Sequence, residues 1–177
     1  MKKNILIFGY GDLAQRLSLI VDKNSYRLFG VSRTSKETLK NNHISWDWLS
    51  EDNPSLDVKD FDCIIFIPKP SSYDEDGYKN GFIKSAENIF NLSKELTFDK
   101  FISISSTSVY GKGNKDIHYE SDNLLPDDFR GKIIKDYESN QIKRYSNKLI
   151  ILRLAGLYES ITDINFLNHL HIDNASK

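Results

Sequence analysis

The chain is 177 residues long, 39% hydrophobic and 12% aromatic, and its 24 Lys and Arg against 25 Asp and Glu leave a formal charge of −1. That length and apolar content suit one buried core in a single globular domain over residues 1–177, and balanced, dispersed charge excludes a polybasic surface for nucleic acid or an anionic membrane. Cys63 is the only cysteine, which excludes an intramolecular disulfide and a cysteine-rich zinc site. No apolar run reaches membrane-spanning length, and the run after Lys2 and Lys3 is broken by Gly9, Gly11 and Asp12 too early for a signal peptide, so a cytoplasmic protein is expected.

The first strand, Asn4–Phe8, breaks into Gly9-Tyr10-Gly11-Asp12-Leu13-Ala14 and resumes as a helix with Leu13, Leu17, Ile20 and Val21 on one face. A G-x-G-x-x-A turn between a first strand and a first helix is the start of a dinucleotide site. Gly9 permits the tight turn, Gly11 lets the backbone approach a pyrophosphate, Ala14 lets the helix pack on the strand, and the helix N-terminus offers free N–H groups to the phosphates. The second strand, Tyr26–Val31, runs out into Ser32-Arg33-Thr34, with no acid to accept from a ribose 2′-hydroxyl. Arg33 offers a guanidinium grip on a 2′-phosphate, with Ser32 and Thr34 as hydroxyl donors, so NADP is expected ahead of NAD; the alternative is that Arg33 solvates a loop. A third strand, His43–Trp46, ends at Asp47, which is read either as an acceptor for the adenine amino group or as an exposed turn acid. The fourth, Cys63–Ile67, exits through Ile67-Pro68 toward the ribose or nicotinamide.

Phe82, Ala86, Ile89 and Phe90 predict a second helix, and Phe129–Tyr145 a third whose inner side carries Phe129, Ile133, Ile134 and Tyr137. Between them lies a fifth strand, Phe101–Ser105, and after them a sixth, Leu149–Leu154; Glu51–Asp60 and Lys112–Asp128 are polar surface loops. Alternation of buried strands with amphipathic helices predicts an α/β Rossmann fold: a doubly wound parallel sheet, order 3-2-1-4-5-6, with helices on both faces. Ligands of such sheets bind outside the strands' carboxyl ends, so the second loop is placed to shape a substrate mouth. His43 and His118 have no partner at useful spacing for a general base.

The fifth strand and its exit, Phe101-Ile102-Ser103-Ile104-Ser105-Ser106-Thr107-Ser108-Val109-Tyr110-Gly111, resemble the serine-rich signature of the extended short-chain dehydrogenases/reductases, the group that includes nucleotide-sugar epimerases and dehydratases. The resemblance continues through Glu120, Pro126, Glu138 and Leu152-Arg153-Leu154-Ala155-Gly156-Leu157-Tyr158. It implies a catalytic hydroxyl on Ser106, with Thr107 as second candidate, and a dinucleotide held by Gly9, Tyr10, Gly11, Asp12, Leu13, Ser32, Arg33, Thr34, Asp47, Ile67, Pro68 and Ser105. Active members carry Tyr-x-x-x-Lys on the next helix, where this chain has Arg130 and Ile134; the segment Arg130-Gly131-Lys132 instead looks like an atypical, epimerase-like branch. Lys132 and Tyr137 are weaker substitutes.

Asn168-His169-Leu170-His171-Ile172-Asp173-Asn174 resembles a family stretch that here follows Tyr158 closely, implying that the substrate-binding region is largely absent. His169 and His171 alternate as on a strand; two ligands alone make a poor metal site, and none is expected. The expectation is therefore an NADP-binding, epimerase/dehydratase-like protein whose small-molecule substrate is a nucleotide-linked sugar, Tyr and Lys being absent. The alternative is a non-catalytic dinucleotide-binding sensor or assembly protein. Apolar surface left by a short C-terminus would suit a homodimer.

Overall fold

Strands rich in Ile, Leu, Phe and Val form the centre of the molecule because β-branched and aromatic side chains pack well on a pleated surface buried on both sides. The computed structural model describes residues 1–34, 37–50, 52–112, 117–158 and 169–171. Six strands run parallel in the order β3-β2-β1-β4-β5-β6: β1 Lys3–Phe8, β2 Tyr26–Ser32, β3 His43–Ser45, β4 Asp60–Phe66, β5 Thr97–Ser106 and β6 Leu149–Leu154. This is the doubly wound order expected from the sequence, with the switch point between β1 and β4. Their register sets Phe8 beside Phe66, Phe66 beside Ser103, and Ser106 beside Leu154. The carboxyl ends of β1 and β4 therefore finish level with each other, while β5 and β6 run on together, β5 three residues past Ser103. A two-stranded parallel pair, β7 Gly156–Tyr158 and β8 His169–His171, follows the main sheet.

Helix α1, Asp12–Ile20, covers one face, with the three-ten turn Glu37–Asn42 beside it. Here Ile7, Tyr10, Ala14 and Ile65 are buried, with Leu17, Leu28 and Leu39 packed against them. The opposite face takes α2 Glu75–Tyr78, a π-helical turn Lys79–Lys84, α3 Ser85–Ser93, and α4 Phe129–Tyr145. The larger core lies there: Phe66 and Phe82 pack edge-on against Tyr137 at 6.0 and 5.5 Å, and Tyr145 stacks on Phe101 at 3.8 Å. The expected helix Phe129–Tyr145 has the observed bounds, whereas the helix expected around Phe82–Phe90 begins with the π-turn. On the α1 side of β6, Ile150 and Leu152 remain 42% and 43% exposed. Among the described residues no helix is long and apolar enough to cross a membrane.

Candidate functional site

The chain leaves β1 through a turn that only glycine fits. Gly9 has φ +87°, and a Cβ there would lie 2.3 Å from the carbonyl oxygen of Ile67 at the exit of β4. The N–H groups of Gly9 and Tyr10 both donate to Val31 O, at 3.0 Å each, which ties the turn to β2. Gly11 is different. It has φ −95°, which any residue adopts, and the only atom near a Cβ would be Gly9 O at 3.9 Å. No protein atom requires glycine there. Gly11 is also the residue preceding α1 and has no side chain with which to cap it, so the helix N-terminus stays open above it. That open approach is what a pyrophosphate needs.

Other residues expected at the site divide by where their side chains go. Arg33, at the end of β2, lines a cleft of about 420 Å³ together with Ser45, Trp46, Asp47 and the segment Ser50, Asp52–Pro54. Arg33 is exposed and has no carboxylate partner among the described residues. Asp47 accepts from Leu49 N at 3.1 Å, so one carboxylate oxygen closes its own turn. The Ser32 hydroxyl donates to Thr34 O at 3.0 Å and lies 2.8 Å from His43 Nε2, which gives His43 a partner that its sequence spacing did not show. Asp12 is joined to Arg16 at 3.2 Å, and Leu13 is half-buried on α1. Ile67 and Pro68, half-buried, form the wall at the β4 exit. Tyr10 points the other way: fully buried, its ring lies against Gly30, and its hydroxyl has no hydrogen-bond partner among the described residues.

At the exit of β5, Ser106 Oγ accepts from Ser108 N at 3.2 Å and caps the three-ten turn Thr107–Tyr110. The hydroxyl hydrogen is then free to donate outward, as a group that holds a substrate oxygen must. Ser106 and Thr107 are both half-buried. Ser105 faces inward instead, where its hydroxyl donates to Glu138 Oε1 at 2.5 Å. Glu138 is 1% exposed and also accepts from Arg153 Nε at 2.9 Å and Nη2 at 2.8 Å. Arg153 Nη1 donates to the Tyr110 hydroxyl at 2.7 Å. This network ties β5, β6, α4 and the three-ten turn together directly beneath Ser106. Glu138 beside it raises the Arg153 pKa still further above its ordinary value.

The substitutes for Tyr and Lys on α4 also separate. Ile134 is buried in the core, Lys132 is exposed, and Tyr137 is fully buried with its hydroxyl 2.6 Å from Ser103 Oγ. Burial drives the Tyr137 phenol well above its ordinary pKa, so it is a core hydrogen-bonding group with no route to a substrate. His118, which lacked a partner in the sequence reading, stacks on Tyr110 at 4.7 Å with Nδ1 3.6 Å from Asp122. The side chains of His169 and His171 lie outside the described residues. Among those described, no group of three or more His, Cys, Asp or Glu could hold a metal.

No family model matches the chain, and no curated protein matches it. Solved structures share its fold. The UDP-glucuronic acid 4-epimerase of Bacillus cereus in complex with NAD superposes with a TM-score of 0.71 at 20% identity, over 88% of this chain and 57% of the other. The UDP-Glc/GlcNAc 4-epimerase of Campylobacter jejuni gives 0.72 at 18%, over 91% and 56%. The UDP-N-acetylglucosamine 4-epimerase of Methanobrevibacter ruminantium M1 in complex with UDP-N-acetylmuramic acid gives 0.70 at 20%, over 94% and 59%. The chain thus spans less than two thirds of the length of these proteins.

Proposed function

We propose that residues 1–177 form one dinucleotide-binding domain of an epimerase/dehydratase-like cytoplasmic protein, which takes NADP and acts on a nucleotide-linked sugar. The observation that carries the reading is Gly11, a glycine that packing and backbone conformation leave unexplained and that an approaching pyrophosphate explains. The shared fold supports it, since proteins of that fold include a UDP-sugar epimerase in complex with NAD. NADP is favoured by Arg33, an exposed guanidinium on the wall of the cleft beside β2 and β3, where no acid ends β2. When bound, the nicotinamide supplies the hydride chemistry. The chain's own part is to fix the sugar: Ser106 donates its hydroxyl hydrogen to the reacting oxygen, and Thr107 stands beside it.

A second reading, a non-catalytic sensor or assembly protein, is favoured by one observation. Arg130 and buried Ile134 occupy the places where the resemblance puts the proton donor and its lysine. In either reading the exposed Ile150 and Leu152 on β6 suit a second copy of the chain, which analytical ultracentrifugation tests.

Calorimetric titration with NADPH and NADH, on the chain and on Arg33→Asp, tests the cofactor assignment. NADPH binding is expected to weaken by roughly tenfold or more in the variant, from loss of a charge-assisted contact, with NADH retained. A folded chain that binds neither nucleotide would end both readings.

A further inference from the structure

The position where a proton-donating tyrosine is expected holds a permanent cation, and its surroundings show what that cation does. Two contacts set the height of α4 against β5 and its exit: the Tyr137 hydroxyl meets Ser103 Oγ at 2.6 Å, and Gly131 is pressed so closely on the three-ten turn that a Cβ there would lie 2.5 Å from Ser108 O. Between those contacts the helix rises about 9 Å, at ~1.5 Å per residue. Arg130, adjacent to Gly131, therefore stands level with the three-ten turn that follows Ser106.

Its guanidinium lies 5.9 Å from the Tyr78 ring centre and 5.7 Å from that of Phe129. Those rings are themselves packed: Tyr78 stacks on Phe82 with an interplanar angle of 12°, and Phe129 meets Tyr78 edge-on at 85°. Arg130 is thus exposed yet orientated by an aromatic platform that costs it little hydration. Three carboxylates close in sequence to Arg130 or Tyr78 have partners of their own: Asp128 accepts from Gly131 N, Asp127 from Lys112 N, and Glu75 pairs with Lys79 at 2.7 Å. Arg130 has no carboxylate partner among the described residues. A guanidinium does not lose its proton in proteins, so Arg130 cannot replace a phenol as acid or base. It can grip paired anionic oxygens with a rigid fork of donors.

We propose that Arg130 is a specificity residue that holds an anionic oxygen group of the substrate beside Ser106, so that the site selects an acidic substrate. This rests on the nucleotide-sugar reading above. The anionic group is either a carboxylate on the sugar or the diphosphate that links it to the nucleoside.

The test is calorimetric titration of the NADPH-loaded chain, and of its Arg130→Gln and Arg130→Lys variants, with UDP-glucuronic acid, UDP-glucose and UDP. The two sugars differ at one carboxylate. Arg130→Gln is expected to weaken binding roughly tenfold or more, the scale of a charge-assisted hydrogen bond, and Arg130→Lys to recover part of it. A loss confined to UDP-glucuronic acid assigns the grip to the carboxylate, and an equal loss across all three assigns it to the diphosphate. Binding within twofold of the parent in a folded Arg130→Gln variant overturns the inference and leaves the nucleotide-sugar reading standing. A parent chain that takes NADPH but none of the three probes overturns the substrate class itself, and the role of Arg130 with it.

Discussion

Glu138 and Arg153 form the ion pair whose disruption most directly tests how the site is held. Glu138 is 1% exposed and Arg153 20% exposed at the side chain, so each loses most of its hydration and regains it through the other. Replacing one partner strands the second. Loss of one member of a buried pair costs about 3–5 kcal/mol, and the residual exposure of Arg153 puts Glu138→Gln near the bottom of that range, at about 3 kcal/mol. For a chain of this size that lowers Tm by roughly 6–12 °C. Arg153→Met strands the carboxylate instead, and should cost at least as much, because Glu138 is the more deeply buried of the two. The double variant Glu138→Leu/Arg153→Met should recover most of the loss, because two apolar side chains leave no stranded charge. Urea unfolding followed by the fluorescence of Trp46 and Trp48, both packed in the main core, measures all three. A cost below about 0.5 kcal/mol for either Glu138→Gln or Arg153→Met would refute the reasoning.

The two glycines of the β1 turn should behave oppositely. Gly9→Ala forces a side chain into positive φ and onto the Ile67 carbonyl, and should cost at least about 3 kcal/mol in the same urea assay. Gly11→Ala should leave stability within about 1 kcal/mol yet abolish tight NADPH binding; unchanged binding would remove Gly11 as the argument for a pyrophosphate. Burial, reinforced by Asp62, pushes the Cys63 thiol up to about 11. Iodoacetamide labelling followed by mass spectrometry should therefore run about a hundredfold slower than with a free thiol at neutral pH and recover in urea. Labelling of the folded chain at the free-thiol rate would contradict that placement.

The sheet and its winding were legible because each strand is a short apolar run and each helix carries one apolar stripe, two local periods that burial enforces. The β1 turn was legible as well: Gly9 was read as the residue of the tight turn, where the structure finds positive φ and the Ile67 carbonyl closing on it, and no protein atom requires glycine at Gly11. The network under Ser106 was not legible. Its partners are 33, 15 and 43 residues apart, and no short-range spacing encodes a contact among Ser105, Glu138, Arg153 and Tyr110. One trace of it does stand in the sequence of α4. The buried positions Gly131, Ile134, Glu138, Gln141 and Tyr145 continue a single helical stripe, and two of them are polar. A Glu in an apolar stripe must find a cation or be destabilising, so its presence signals a partner on the facing strand before that partner is known. Here the conflict between the local pattern and the residue falls at the strand end that carries Ser106, where a site needs fixed side chains more than it needs an apolar core.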